Sequence, residues 1–352
     1  MTEQNCNLTE RELKILTQIT EAYILIGEPV GSRWLSKVEG IDLSPATLRN
    51  IMTDLTERAL LEQPHTSAGR VPTDKGYRIY VDRLFSSQDN EKRYPGLMPL
   101  TSFLPQQADR LENIFHSTTR YLASMTNLLG LLTTPCPLES SLKKIDFILL
   151  SENRVIMLLI TQSGMVLHKN IYIREAVDAE ILSITGEYLN KQFYNCLLRD
   201  IREHVLNHVN AISEGNESQK AVITRMCKKA FNLDEFGQLI SHGMHNFYGM
   251  GADIDKEQMM DTLDFIDNKS TLIEVMERQS RDGVVKIMIG HENDVDQLNQ
   301  FSVVSTSYGN GQKMLGTIGV IGPKRMNYDR VTYIIQNAAN QLSDEIKGIM
   351  QR

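Results

Sequence analysis

Leu13, Leu16, Ile19, Tyr23 and Ile26 recur every three or four residues with polar residues between them, which lays one apolar stripe along a helix. Thr9 and Glu12 have capping-box spacing ahead of that helix, and Gly27, Pro29 and Gly31 end it. Ser32 is placed to cap a short second helix, SRWLSKV, which Gly40 stops. Ser44-Pro45 opens a third helix, with Ser as the cap and Pro in the first turn. It is expected to bury Leu48, Ile51, Met52, Leu55 and Ala59 and to turn Thr47, Arg49, Asn50 and Thr53 outward. Residues 60–63 and 70–72 read as the strands of a small hairpin. Gly69 is expected to supply positive φ at its turn, with Arg70 close to the tip. Thr73 caps a fourth helix that buries Tyr77, Tyr80, Val81 and Leu84. This order of elements predicts a helix-turn-helix with a wing.

Beyond a linker at 88–104, rich in polar residues and proline, the pattern changes. Residues 105–133 read as one long amphipathic helix. KIDFILLS, RVIMLLIT and MVLHKNIYI read as strands, the first two joined by a tight turn at Glu152-Asn153. Helical periodicity returns near 178–193, 197–213, 218–231 and 256–266. The strand-like runs VVKIMIG, FSVVSTSY and LGTIGVIGP follow, and a last helix spans 328–350. Strands on both sides of a helical block predict an α+β chain in which one domain interrupts another. The divisions expected are 1–87, 88–104, 105–177, an insert at 178–266, and 267–352. The insert's apolar positions Ile181, Ile184, Leu189, Phe231, Phe236 and Met259 suit either a subunit interface or a core of its own.

A chain of 352 residues with 41% hydrophobic and 23% charged residues can bury two or three cores. Its apolar runs are too short for a membrane span and its polar start carries no signal peptide, so a cytoplasmic protein is expected. Cys6, Cys136, Cys196 and Cys227 form no CxxC pair, which argues for reduced thiols and against a structural zinc. The net charge of −7 does not advertise a nucleic-acid partner, but one basic face on an acidic protein is enough for local attraction.

Candidate chemistry therefore turns on where the arginines stand. Ser44, Thr47, Arg49, Asn50 and Thr53 lie in the half of the third helix that enters a major groove in helix-turn-helix proteins. Arginine pairs bidentately with guanine, asparagine with adenine, and threonine methyls suit thymine. The alternative is a solvated helix face. On the wing, Arg70 with His65 and Ser67 nearby suits a narrow minor groove or its phosphates. Thr73, Lys75 and Arg78 at the start of the fourth helix, and Arg33 on the second, suit phosphates. Trp34 is expected in the core. His204 with His208, and His242 with His245, have ligand-like spacing but no third donor, so no metal is expected. The glycine-bearing runs match no nucleotide fingerprint, and no nucleophile with its base is visible. Neither an enzyme nor a bound cofactor is expected.

The segments LTERELKIL, GEPVGSRWL, LSPATLRNIMTDLTERALLEQPHTSAGRVPTDKGYRIYVD, IGHEN and GTIGVIGPKRMNYDRV resemble the heat-inducible transcription repressors of the HrcA family, over nearly the whole chain. The resemblance implies a winged-helix domain, a GAF-like domain and a dimerising domain inserted into the latter. It also implies a homodimer on double-stranded DNA, at an inverted-repeat operator upstream of chaperone operons of the groE and dnaK type. Heat would relieve repression, and the chaperonin GroEL would keep the repressor active. A contrasting expectation is a repressor that answers a small molecule held between the strand blocks 145–173 and 284–322.

Overall fold

The computed structural model describes residues 8–65, 68–86, 94, 96–104, 111–135, 138, 140–151, 153–162, 164–173, 179–208, 217–231, 239–249, 256–279, 283–310 and 314–350. The N-terminal part holds α1 (Glu10–Ile26), α2 (Ser32–Leu35), α3 (Pro45–Glu57), β1 (Leu61–Glu62), β2 (Val71–Pro72) and α4 (Asp74–Ser86). The capping box forms as its spacing predicts: the Thr9 amide donates to Glu12 Oε2 at 2.7 Å, and the Glu12 amide donates to Thr9 Oγ1 at 3.3 Å. Gly27 then closes α1 at φ 84°. Ile15, Leu16 and Ile19 meet Leu35, Leu48, Leu55, Leu60 and Leu61 in one core, so α1, α2, α3 and the hairpin pack as a unit. Ser32 is the first helical residue of α2 rather than its cap, which is Gly31. Ala59 lies past the end of α3, exposed and at φ 54°, so it is not a core residue.

The rest of the chain runs α5 (Leu111–Thr126), β3 (Leu129–Thr133), β4 (Leu142–Ser151), β5 (Arg154–Thr161), β6 (Val166–Tyr172), α6 (Ala179–Phe193), α7 (Leu198–His208), α8 (Glu217–Ala230), β7 (Leu239–His242), α9 (Met244–Gly249), α10 (Lys256–Asp267), α11 (Lys269–Gln279), β8 (Lys286–Ile289), β9 (Phe301–Gly309), β10 (Met314–Pro323) and α12 (Tyr328–Met350). The architecture is α+β, with two larger sheets besides the hairpin. One is five-stranded and antiparallel, in the order β7-β3-β10-β9-β8. Its first face carries Leu132, Val304, Ile318 and Val320 against α5 and α12. Its second carries Leu129, Leu131, Phe301, Val303 and Ile321 against α10 and α11.

Two expectations change here. Residues 129–133 are a buried central strand and not the end of a long helix: Asn127 turns the chain at φ 57°, and the run LGLLT then pairs with β10 and β7. The strands at 142–172 do not join those at 286–323 either. β4, β5 and β6 form a separate sheet whose inner face packs Ile145, Val155, Met157, Leu159 and Ile171 against Leu182, Leu189, Ile201, Met226 and Phe231 of α6, α7 and the chain through α8. The segment interrupting the five-stranded sheet therefore includes these strands and leaves out α10, whose Phe265 and Ile266 cover that sheet. Leu189 and Phe231 are core, Ile181 is half-buried and Ile184 is exposed; Phe236 and the Met259 side chain lie outside the described residues. Among the described residues no helix is long and apolar enough to cross a membrane.

Candidate nucleic-acid interface

α3 is set up by its first residues. Ser44 Oγ accepts from the Thr47 amide at 3.1 Å and lies 2.9 Å from Thr47 Oγ1, while Pro45 occupies a position whose amide would have no helical partner. Leu48, Ile51, Met52 and Leu55 then face the core, which turns Arg49, Asn50 and Thr53 to the exposed side. No described residue bonds the side chains of Arg49 or Asn50. Thr53 gives its hydroxyl to the Arg49 carbonyl at 2.9 Å, so its methyl is the part left for an outside contact. Thr47 is half-buried and shares its hydroxyl with Ser44.

β1 and β2 pair as Leu61↔Pro72 and Glu62↔Val71. Arg70 stands where the loop enters β2, next to the Glu62↔Val71 pair, and not at the tip of the loop. Its backbone exchanges both hydrogen bonds with Val30, and its Nε donates to Thr56 Oγ1 of α3 at 3.1 Å. It therefore ties the hairpin to α3. His65 is exposed in the loop, whose turn closes through the Ala68 amide on the His65 carbonyl at 2.8 Å. Ser67 lies outside the described residues. Gly69 is not at positive φ; it is needed because a Cβ there would stand 2.4 Å from the Val30 carbonyl.

The expected phosphate contacts separate. Arg33 on α2 and Lys75 on α4 are exposed. Thr73 caps α4 by accepting from the Gly76 amide at 3.2 Å and donates to the Ala59 carbonyl at 2.7 Å, so its hydroxyl is already used. Arg78 does not face outward as a phosphate contact would. Its Nε donates to Glu292 Oε1 at 2.8 Å, and its Nη2 bonds Glu292 Oε2 and the Ile287 carbonyl. Burial works against its charge, but these bonds hold the guanidinium protonated more firmly than usual. Trp34 is 44% exposed beside Arg33, at odds with a core position.

Elsewhere, His242 lies 3.3 Å from His116 through Nε2 and Nδ1, and burial, His116 and Arg120 keep it from protonating as readily as usual. His204 stacks edge-on against Phe193, and the His208 side chain lies outside the described residues. Among the described residues no three His, Cys, Asp or Glu side chains group as metal ligands do. Cys196 and Cys227 are free thiols, and burial pushes that of Cys227 up to about 12. An open cleft of about 450 Å³ lies between α1 and α4, lined in part by Lys14, Gln18, Glu21, Tyr80 and Arg83.

Residues 112–332 match the family model described as HrcA protein C terminal domain. The chain is 33% identical over 341 residues to the heat-inducible transcription repressor HrcA of Thermodesulfovibrio yellowstonii, covering 96% of this chain and 97% of that one. It is 34% identical over 356 residues to the protein of the same name from Nitrosomonas eutropha, covering 96% and 99%. A crystal structure described as a hypothetical protein at 2.2 Å resolution shares the fold with a TM-score of 0.66 at 22% identity, over 97% of this chain and 99% of that one. The class these relatives define is the transcription repressor. Within it, the chain belongs to the HrcA family, whose members are heat-inducible repressors.

Proposed function

We propose that this chain represses chaperone operons of the groE and dnaK type by binding an inverted-repeat operator as a homodimer. α3 enters the major groove, and the hairpin lies along the adjoining minor groove or its phosphates. Arg49 and Asn50 carry the proposal most directly: both project, without described partners, from the outer face of a capped helix that stands beside a hairpin. Arg33, His65 and Lys75 are placed to contact phosphates, which position the protein without specifying sequence. In this reading 1–86 is a winged helix-turn-helix, the five-stranded sheet with its helices is the GAF-like domain, and 138–231 is the dimerising insert.

One winged helix reads too few base pairs to find its site among a genome's competitors, so a dimer is required. Its interface is supported by β5, which is apolar on both faces. Val155, Met157 and Leu159 point into the core, so Ile156 and Leu158 point the other way by strand alternation, beside exposed Ile148, Leu150, Val166 and Tyr172. The same face also carries Lys144, Asp146, Arg154, His168 and Asn170, so it is an apolar centre with polar side chains around it, the make-up of a subunit interface, and a second copy covers it by two-fold symmetry. The strand blocks expected to enclose a small-molecule pocket together, 145–173 and 284–322, belong to different sheets, so no single sheet lines such a pocket.

Relief by heat needs a two-state element. A domain stable by ~5–15 kcal/mol is eroded by warming, and the chaperonin GroEL returns the repressor to its DNA-binding form until other clients occupy it. The test is footprinting of the purified protein on its own chaperone-operon promoter across salt concentrations, then gel shifts after brief warming with and without GroEL. Arg49→Ala and Asn50→Ala should each cost about 1–3 kcal/mol of operator affinity and relax base preference. Unchanged affinity in both would remove α3 from the interface, and no gain in active fraction with GroEL would remove the chaperonin.

A further inference from the structure

α4 belongs to two cores at once. Tyr77, Tyr80 and Val81 belong to the core shared by α5, α12 and the five-stranded sheet, while Ile79 packs against the core of α1, α3 and the hairpin. Around this shared helix, polar contacts gather from two sequence segments that the DNA-contacting surface does not use, IGHEN (289–293) and PKRMNY (323–328). Asp74 Oδ1 accepts from Lys324 Nζ at 2.7 Å. Its Oδ2 accepts from the His291 amide at 3.1 Å and lies 2.8 Å from His291 Nδ1. One turn along α4, Arg78 grips both oxygens of Glu292, and Glu292 also takes the Ile289 amide at 2.8 Å. The Tyr77 and Tyr328 rings lie 6.1 Å apart. Just past the end of α1, the Arg325 guanidinium lies against Gly27, where a Cβ would stand 1.7 Å from its Nη1. Gly290 has the same role for Asp74, whose Oδ2 would stand 2.1 Å from a Cβ.

Three separate points, Asp74, Arg78 and Gly27, are enough to fix the orientation of one rigid body on another. A planar guanidinium held by both oxygens of a carboxylate fixes an angle as well as a distance, which an apolar patch does not. The seam is also not packed for maximum stability. The Tyr77 hydroxyl is buried without a hydrogen-bond partner among the described residues, and such a group costs free energy. Geometry, more than adhesion, is what these residues supply.

We propose that Asp74, Arg78, Glu292, Lys324 and Arg325 are positioning residues that set the operator half-site spacing the dimer accepts. The inference rests on the DNA-binding dimer proposed above. α3 is carried by the N-terminal core, that core is held by the α4 anchor, and the anchor is built on the five-stranded-sheet domain, whose strands β3 and β7 lead into and out of the proposed dimerising insert. The separation and phase of the two copies of α3 therefore pass through Arg78 and Asp74. Half-sites read by a two-fold dimer must lie one helical turn or a multiple apart, so a swing of the N-terminal unit changes which spacing fits.

The experiment measures equilibrium binding of the full-length protein to duplexes carrying the footprinted operator, with zero, one, two or five base pairs inserted between half-sites, and to a single half-site. The parent should lose roughly ten-fold or more in affinity at the wrong spacings. Arg78→Met and Glu292→Gln should bind the half-site as the parent does, yet show a spacing preference reduced to within about three-fold. The charge-swapped pair Arg78→Glu with Glu292→Arg should recover part of the parent's preference. A parent that ignores the inverted repeat overturns the dimer reading, and this inference with it. A parent with a clear preference that both single variants keep overturns the anchor alone. If Arg78→Met does not fold, judged by circular dichroism, Glu292→Gln and Lys324→Met decide the matter by the same ratio.

Discussion

Arg49, Arg70 and Arg78 are one residue type with three placements, and their neighbours decide the difference. Arg49 stands on the open face of α3, Arg70 is tied to Thr56 and Val30, and Arg78 is gripped by Glu292, a residue 214 positions away. Helical spacing makes the first legible because exposure follows from the side opposite the apolar stripe. No local signal marks the third. Asp74 gives a pH test at this scale. Burial pushes its carboxyl up, but the bonds from Lys324 and His291 outweigh burial and hold it below its usual range. A carboxyl depressed in the folded state contributes stability that is fully present above its unfolded pKa and is lost as pH falls through the lower folded value. Asp74→Asn should therefore melt below the parent at neutral pH, and the gap in Tm should close as pH falls below about 4. A gap that stays constant from neutral to acid pH would show that the ionised carboxylate contributes nothing.

At the level of elements, starts and stops were the most legible features. Thr9 with Glu12, Ser44 with Pro45, and Gly27 act where their spacing predicts, because capping needs only groups within one turn. Ser44→Ala should cost about 1 kcal/mol in urea unfolding, the usual value for a lost cap. Gly69→Ala should also destabilise, although Gly69 has an ordinary φ, since its methyl would press on the backbone of Pro29 and Val30. An unaltered unfolding midpoint in Gly69→Ala would mean that the hairpin can shift away without cost. The misread element is 129–133. LGLLT follows a helical stripe without a proline, and five consecutive buried residues carry neither a period of two nor one of 3.6. Only partners on both sides, β10 and β7, make it a central strand.

For the whole molecule, the two larger sheets divide the work. The five-stranded sheet is covered on both faces, whereas β4, β5 and β6 cover one face and leave Leu150, Val166 and Tyr172 50%, 57% and 60% exposed on or beside the other. Leu158→Asp places a charge on that open face while Val155, Met157 and Leu159 remain in the core. Sedimentation should then give a monomer where the parent gives a dimer, with operator affinity reduced by about ten-fold or more because two half-sites are no longer read together. A variant that sediments as the parent does would move the interface elsewhere.

Local chemistry in the chain was enough to specify the helix starts, the order helix, helix, capped helix, hairpin, helix, and the outward face bearing Arg49 and Asn50. Each of these depends on neighbours within about four residues. Tertiary structure decided which strands share a sheet, why 142–172 leaves the five-stranded sheet, and that Arg78 and Asp74 turn inward to residues 287–324. Strand partners and salt-bridge partners are chosen by burial and by charge across distant parts of the chain. Alternation along a single strand says that one face is apolar, but it cannot say what will cover that face.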